Sequence, residues 1–344
     1  MRSAPLKRHA TEPDEQPSPA TAEFAEAMLR ALQSRPRSIA PKFFYDEAGL
    51  ELFERICRLQ EYYLTRVETA ILREHAAQIA ELAGERADLI EFGAGSPVKA
   101  RILLDAMTAP ARYVPVDVST THLRDASLQL QRDYPGLVVQ PLAADFSQPL
   151  VVPAQLPGAG CRLGLFLGST IGNLSAEQAQ RFLAEAAARL AGGGLLVGVD
   201  LVKDPAVLHR AYNDAEGITA AFNRNLLRRA NRELGADFEP ESFEHYAFYQ
   251  PGAQRIEMHL VSSRRQSVHV GGQNFVFGEG ESLHTENSYK YTIEGFSELA
   301  RQAGFEPARV WCDRQRLFSV HWLAAPQRAR FADSSEPARR KDPR

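Results

Sequence analysis

The residues best placed to do chemistry in this chain stand at the ends of apolar runs. The segment 88–96 reads DLIEFGAGS, an apolar run that carries Glu91 and opens into Gly93 and Gly95. Glycine suits a loop whose backbone must approach a ligand closely, because it has no Cβ and tolerates positive φ. The third glycine of a dinucleotide-binding G-x-G-x-x-G would fall at Val98, so the close packing of an NAD site is not encoded. The next apolar run, 112–119, carries Asp117 at its carboxyl end, where a carboxylate can hold two ribose hydroxyls. Ribose recognition without a pyrophosphate signature fits S-adenosylmethionine, which has ribose and adenine but no phosphate.

Three further groups extend the pattern. Asp145 and Phe146 follow the third run and suit adenine, one by polar pairing with the exocyclic amine and the other by stacking. The segment 168–173, GSTIGN, follows the fourth run, and the amide of Asn173 can donate to a carboxylate and accept from an amine. Asn173 is equally suited to cap the helix that starts at Ala176, as is Ser175. Glu286 and Ser288 lie two apart in an extended segment, so both point to one face, where a carboxylate and a hydroxyl can bind the edge of an imidazole. Two polar residues on a solvated strand face would show the same spacing.

Positioning these groups requires an α/β framework. Strand and helix patterns alternate from Leu89 to Leu201, with the turn 192–194 (GGG) before the last strand. Such repeated units predict a parallel, doubly wound sheet. Strands are expected at 89–92, 113–118, 137–143, 163–167 and 195–201, with helices at 99–107, 122–133 and 176–190. Three amphipathic helices, 21–33, 49–59 and 65–82, precede the first strand. After residue 202 the pattern changes to two helices within 205–234. Alternating strands 255–262 and 266–270 follow, with Gly271-Gly272 turning toward 275–277. The last patterns are a helix at 294–303 and strands at 308–312 and 317–322. The expected organisation is a disordered tail (1–20), N-terminal helices serving the substrate region (21–84), a core (85–202), an inserted substrate or lid region (203–280), a return to the core sheet (281–325) and a basic tail (326–344).

Composition narrows the function class. The chain has 344 residues, with 40 Lys+Arg against 43 Asp+Glu for a formal charge of −3. No general positive field recruits nucleic acid. Cys57, Cys161 and Cys312 are scattered, which argues against a disulfide framework or a zinc site and for a reducing, cytoplasmic setting. No apolar run is long enough to span a bilayer, and the N-terminus lacks a signal-peptide core. A monomer acting on a small molecule is expected.

Seven segments in order carry a family resemblance: 41–49 (PKFFYDEAG), 61–66 (EYYLTR), 91–96 (EFGAGS), 168–173 (GSTIGN), 211–215 (AYNDA), 255–259 (RIEMH) and 284–290 (HTENSYK). Together they resemble the histidine N-alpha-methyltransferases of ergothioneine biosynthesis. The resemblance implies a Rossmann-like class I methyltransferase fold with an added substrate-binding domain. It implies transfer of three methyl groups from S-adenosylmethionine to L-histidine, giving hercynine, with no metal and no dedicated catalytic base. For the cofactor it implies Gly93, Gly95, Lys99, Asp117, Asp145 and Phe146, although Lys99 read alone is an ordinary solvated helix residue. For the substrate it implies Asn173, with Gly168 in its loop, and Tyr212 at the amino-acid end. It places Tyr45 at the amino group, and Met258, Glu286 and Ser288 at the ring, with Tyr63, chosen over its neighbour Tyr62. A pocket altered for another amino acid or an amino-acid-derived amine is the alternative within this fold. A nucleoside-binding module without chemistry is the alternative outside it. Leu64 departs from the family pattern, where Pro is expected.

Overall fold

The computed structural model describes residues 19–148 and 150–327. The tails expected at either end lie almost wholly outside the described residues. The central sheet has eight strands. Across it run Glu306–Cys312, Phe318–Ala324, Gly194–Asp200, Arg162–Phe166, Asp88–Phe92, Arg112–Asp117 and Val138–Val139, with Leu142–Ala143 also pairing Arg112–Asp117. Pairing is parallel except around Phe318–Ala324, which runs antiparallel to both of its neighbours. The expected doubly wound sheet is therefore present, closed at its far edge by an antiparallel hairpin.

Strand composition explains its burial. In Asp88–Phe92 every residue is buried. Leu89 packs into one core with the N-terminal helices, while Ile90 and Phe92 face the other core with Phe166 and Phe182. A strand covered on both faces needs such a continuous apolar run. The strand order reverses at Asp88–Phe92, which lies between Arg162–Phe166 and Arg112–Asp117. A ligand crevice forms at the carboxyl ends of strands beside such a switch point. At the opposite end, Arg112 pairs with the buried Asp88 through two 2.8 Å hydrogen bonds, and Arg162 reaches the same carboxylate at 3.1 Å. Those charges pin strand starts and are remote from the crevice.

A second sheet is ordered Arg37–Ser38, Ser282–Tyr289, Arg255–Ser262, Phe243–Gln250. It packs against the helices Pro205–Tyr212 and Ile218–Leu234. A separate hairpin, Gln266–Val270 with Gln273–Phe277, turns at Gly271-Gly272 as expected. The expected return to the core sheet from residue 281 shifts downstream. Ser282–Tyr289 remains in the second sheet because Glu286 pairs with Met258 and Ser288 with Ile256 across it. The chain rejoins the core from the helix Ile293–Gln302 onward. The expected single strand 137–143 is two short ones, separated at Gln140-Pro141, where proline cannot donate to the ladder. Strand Phe243–Gln250 was not expected from the sequence. Its run of aromatic residues is broken by Glu244, His245 and Gln250.

Among the described residues the three cysteines are free, and no helix is long and apolar enough to cross a membrane.

Candidate active site

The crevice is built at the carboxyl edge of the core sheet. Gly93 has φ +74°, and a Cβ there would meet the Phe146 ring at 3.3 Å. A Cβ on Gly95 would meet nothing within 4 Å, so this stretch of backbone is open to a ligand. Asp117 closes Arg112–Asp117, and its Oδ1 accepts from the Ser119 N–H at 2.9 Å. Burial raises its pKa, partly offset by that hydrogen bond. Phe146 sits edge-on to Phe166 and Phe182, with centroids at 5.4 and 6.0 Å, so packing fixes its ring. These four residues lie together at that edge, and an open glycine turn beside a carboxylate is compatible with S-adenosylmethionine.

Asp145 and Lys99 have partners of their own. Asp145 accepts from Ser147 and, at 2.7 Å, from the Lys42 ammonium. Burial pushes its pKa up, but Lys42 and Ser147 outweigh that and hold it below the usual range. Lys42 belongs to the short 3-10 helix Pro41–Phe44, so this bond ties the N-terminal segment to the rim of the cradle. Lys99 is bound to the fully buried Glu68, which also accepts from the Gly168 N–H at 2.8 and 2.9 Å. Glu68 fits there because Gly198 beneath it carries no side chain, and a Cβ would lie 1.8 Å from Oε1. Lys99 thus stands beside the Gly168 loop, held as an ion pair instead of solvated.

That loop carries Asn173. Gly168 (φ +78°) and Ser169 (φ +57°) turn the chain sharply after Arg162–Phe166, and Ser169 Oγ accepts from the Asp200 N–H at 3.0 Å. The following helix is capped by Ser175, whose capping box with Gln178 satisfies its first turn. The capping role left open for Asn173 is therefore filled by another residue. The Asn173 side chain has no hydrogen-bond partner among the described residues. Gly172 presses against Tyr289 (a Cβ would lie 2.8 Å from the Tyr289 carbonyl oxygen), so the loop and the second sheet touch at this point.

Glu286 and Ser288 share one face of Ser282–Tyr289, with Met258 directly across from Glu286, as the spacing implied. Glu286 is 9% exposed, and its carboxylate likewise has no hydrogen-bond partner among the described residues. Burial raises its pKa from 4.5 to about 7, with Lys290 acting in the opposite sense. Ser288 Oγ is bonded to Tyr212 Oη at 2.7 Å. Tyr212 is the last residue of Pro205–Tyr212, and its carbonyl oxygen is held by His245 at 2.8 Å. Asp214 then accepts from the Ile218 and Thr219 N–H groups at 2.7 and 2.8 Å, starting the next helix.

Aromatic side chains cluster beside Tyr212. Tyr45 lies 5.6 Å from Phe53, Phe53 lies 6.4 Å from Tyr62, and Tyr62 lies 6.3 Å from Tyr212. The pKa of Tyr45 is driven well above 10, first by burial, then by the charge of Glu286 and, more weakly, of Cys57 and Asp117. Tyr45 therefore feels the charges of both Glu286 and Asp117. Tyr63, the tyrosine expected at the substrate ring, is engaged with the end of a core strand. Its hydroxyl donates to both oxygens of Asp200, at 2.8 and 2.9 Å, and accepts from Lys203 at 2.7 Å. Tyr62, next to it, is the residue whose titration responds to Glu286 after burial, Tyr212 and Cys57. Adjacent residues at a helix start point in different directions, so only one of the pair can enter the pocket.

The sequence reading missed Glu68, Lys42, Asp200, Lys203 and Lys290. Lys290 had a usable signal, since 286, 288 and 290 continue the same two-residue period.

Comparison with known proteins agrees with this geometry. The family described as histidine-specific, SAM-dependent methyltransferases matches residues 24–325. A histidine N-alpha-methyltransferase from Mycobacterium tuberculosis is 43% identical over 300 residues, covering 85% of this chain and 92% of that protein. Another protein of that name, from Mycolicibacterium smegmatis, is 42% identical over 299 residues, covering 84% and 92%. Ergothioneine biosynthesis protein 1 of Neurospora crassa is 31% identical over 311 residues, covering 84% of this chain and 33% of that protein. A family match over residues 24–325 and relatives of this identity show that the chain belongs to the family of histidine-specific, S-adenosylmethionine-dependent methyltransferases.

Proposed function

We propose that the enzyme transfers three methyl groups from S-adenosylmethionine to the α-amino nitrogen of L-histidine, giving hercynine, as a cytoplasmic monomer at the head of ergothioneine biosynthesis. The observation that carries this reading is the buried Glu286 carboxylate with no hydrogen-bond partner among the described residues, one strand across from Met258 and two residues from Ser288. A nearly buried acid of this kind costs stability unless something polar meets it. The ring N–H of histidine is such a group.

Gly93, Gly95, Asp117 and Phe146 would hold the cofactor, which supplies an electrophilic methyl on a sulfonium. Asn173 and Tyr212 orient the amino-acid end of the substrate, and Glu286 and Ser288 fix its ring. The task of the protein is chiefly alignment, which can supply roughly 7–11 kcal/mol of barrier. An α-amino group titrates near about pH 8, so its proton leaves to water before each transfer. The ring faces of Tyr45, Tyr62 and Tyr212 can tolerate the growing quaternary ammonium by cation–π attraction.

The test is kinetic. Asn173→Ala and Glu286→Gln should each lower kcat/KM for histidine at least about tenfold, the loss expected for a charged or bidentate polar contact. Both should leave the KM for S-adenosylmethionine within about threefold of the parent. Unchanged histidine kinetics in Glu286→Gln would remove the ring-edge assignment and favour another amino acid or amine.

A further inference from the structure

Lys290 is one of the most deeply buried side chains in the protein, and it stands where the two sheets meet. It follows Ser282–Tyr289, and its neighbour Tyr291 donates its backbone N–H to the Asp200 carbonyl at 3.1 Å, at the end of a core strand. Its ammonium reaches Asp200 Oδ2 at 2.8 Å, Ser288 Oγ at 2.8 Å and Tyr212 Oη at 3.0 Å. An ammonium has three donors and no acceptor, so these three contacts use all of it. Asp200 is itself fixed by Tyr63, by Lys203 and, through its backbone, by Ser169 in the Asn173 loop.

The contacts impose a direction on the hydroxyls. Both Ser288 Oγ and Tyr212 Oη accept from Lys290, so neither can use that bond to place its own hydrogen. The Tyr212–Ser288 bond at 2.7 Å has one hydrogen in it. A phenolic O–H is the more acidic of the two and donates, which makes Ser288 Oγ a double acceptor. The one hydrogen remaining to the pair belongs to Ser288, beside Glu286 on the same strand face. Glu286, when ionised, can only accept. The pocket edge thus presents one acceptor and one donor two residues apart.

We infer that Lys290 is a positioning residue that makes Ser288 an obligate donor, so the pocket selects a five-membered ring with one N–H and one lone-pair nitrogen. This deepens the histidine reading and rests on it. Without Lys290, Tyr212 Oη gains a free lone pair, Ser288 can turn its hydrogen into it, and the demand for a ring acceptor is lost. Asp200 contributes by holding the ammonium in place, which links the Asn173 loop to the direction of a hydrogen beside Glu286.

The experiment compares L-histidine with its two pyrrolylalanine analogues, in which C–H replaces one or the other ring nitrogen. The selectivity S is kcat/KM for histidine divided by that for the better analogue. In the parent enzyme S should be roughly tenfold or more, because the analogue leaves the Ser288 donor unpaired. Ser288→Ala should bring S near one, and Lys290→Met should bring it to the same value. Lys290→Gln keeps N–H donors at the site and should hold S within about threefold of the parent. A merely structural lysine would lower both substrates in parallel and leave S unmoved. S retained in a folded Lys290→Met, or collapsed in a folded Lys290→Gln, overturns the inference, and so does a parent S near one. Failure of the parent to methylate histidine at all would instead sink the proposed function.

Discussion

Replacing Glu286 by Gln should make the free enzyme more stable at alkaline pH while impairing its use of histidine. Burial raises the Glu286 pKa from 4.5 to about 7, so the folded state holds this proton more tightly than the unfolded chain. Below about pH 4.5 the group is protonated in both states and its ionisation has no effect on stability. Between that pH and about 7 the unfolded chain ionises first, and stability falls as pH rises. Above about pH 7 the full cost is present, about 3 kcal/mol from the size of the shift at 1.36 kcal/mol per unit. Glutamine keeps the shape and carries no charge at any pH. Urea unfolding at about pH 5 and about pH 8.5 reads the difference as a shift of midpoint at constant slope. The variant should match the parent within about 1 kcal/mol at the lower pH and exceed it by about 3 kcal/mol at the higher. Other buried acids, including Glu91 with its pKa raised to about 7 by burial, are common to both proteins and cancel. An equal offset at both pH values, or a less stable variant at alkaline pH, would refute the view of Glu286 as a buried acid awaiting a partner.

Four further outcomes follow from named residues. Gly172→Ala puts a methyl 2.8 Å from the Tyr289 carbonyl oxygen, so kcat/KM for histidine should fall about tenfold or more as Asn173 moves from Glu286, with circular dichroism unchanged. Tyr63→Phe removes hydrogen bonds to buried Asp200 and should cost roughly 1–3 kcal/mol of stability in urea unfolding. Tyr62→Phe should cost under about 1 kcal/mol and act on the KM for histidine, because the Tyr62 hydroxyl has no hydrogen-bond partner among the described residues. Asp117→Asn should weaken S-adenosylmethionine about tenfold by calorimetry, the loss of a charge-assisted ribose contact, without altering the KM for histidine.

The parts of this account that were legible in the sequence depend on short-range periodicity. The apolar runs before Gly93, Asp117 and the Gly168 loop were legible as strands whose ends a parallel sheet gathers on one edge. The spacing of Glu286 and Ser288 placed them on one face because a strand has a period of two. Pairings between distant segments were not legible. Glu68 meets the Gly168 N–H and Lys290 meets Asp200 across separations that no local pattern records. Tyr62 and Tyr63 are adjacent and chemically identical, and no local pattern records that Asp200 meets the hydroxyl of Tyr63. Ser282–Tyr289 was assigned to the core region because its sequence fits either sheet. Phe243–Gln250, two strands away in the same sheet, was itself hidden by polar residues.

The most direct test of the central claim is to incubate the purified enzyme with S-adenosylmethionine and each of the twenty amino acids, then locate added methyl groups by tandem mass spectrometry. The account predicts three methyl groups on the α-nitrogen of histidine and none on the other nineteen. Methyl groups on an imidazole nitrogen, or on a different amino acid, would contradict it.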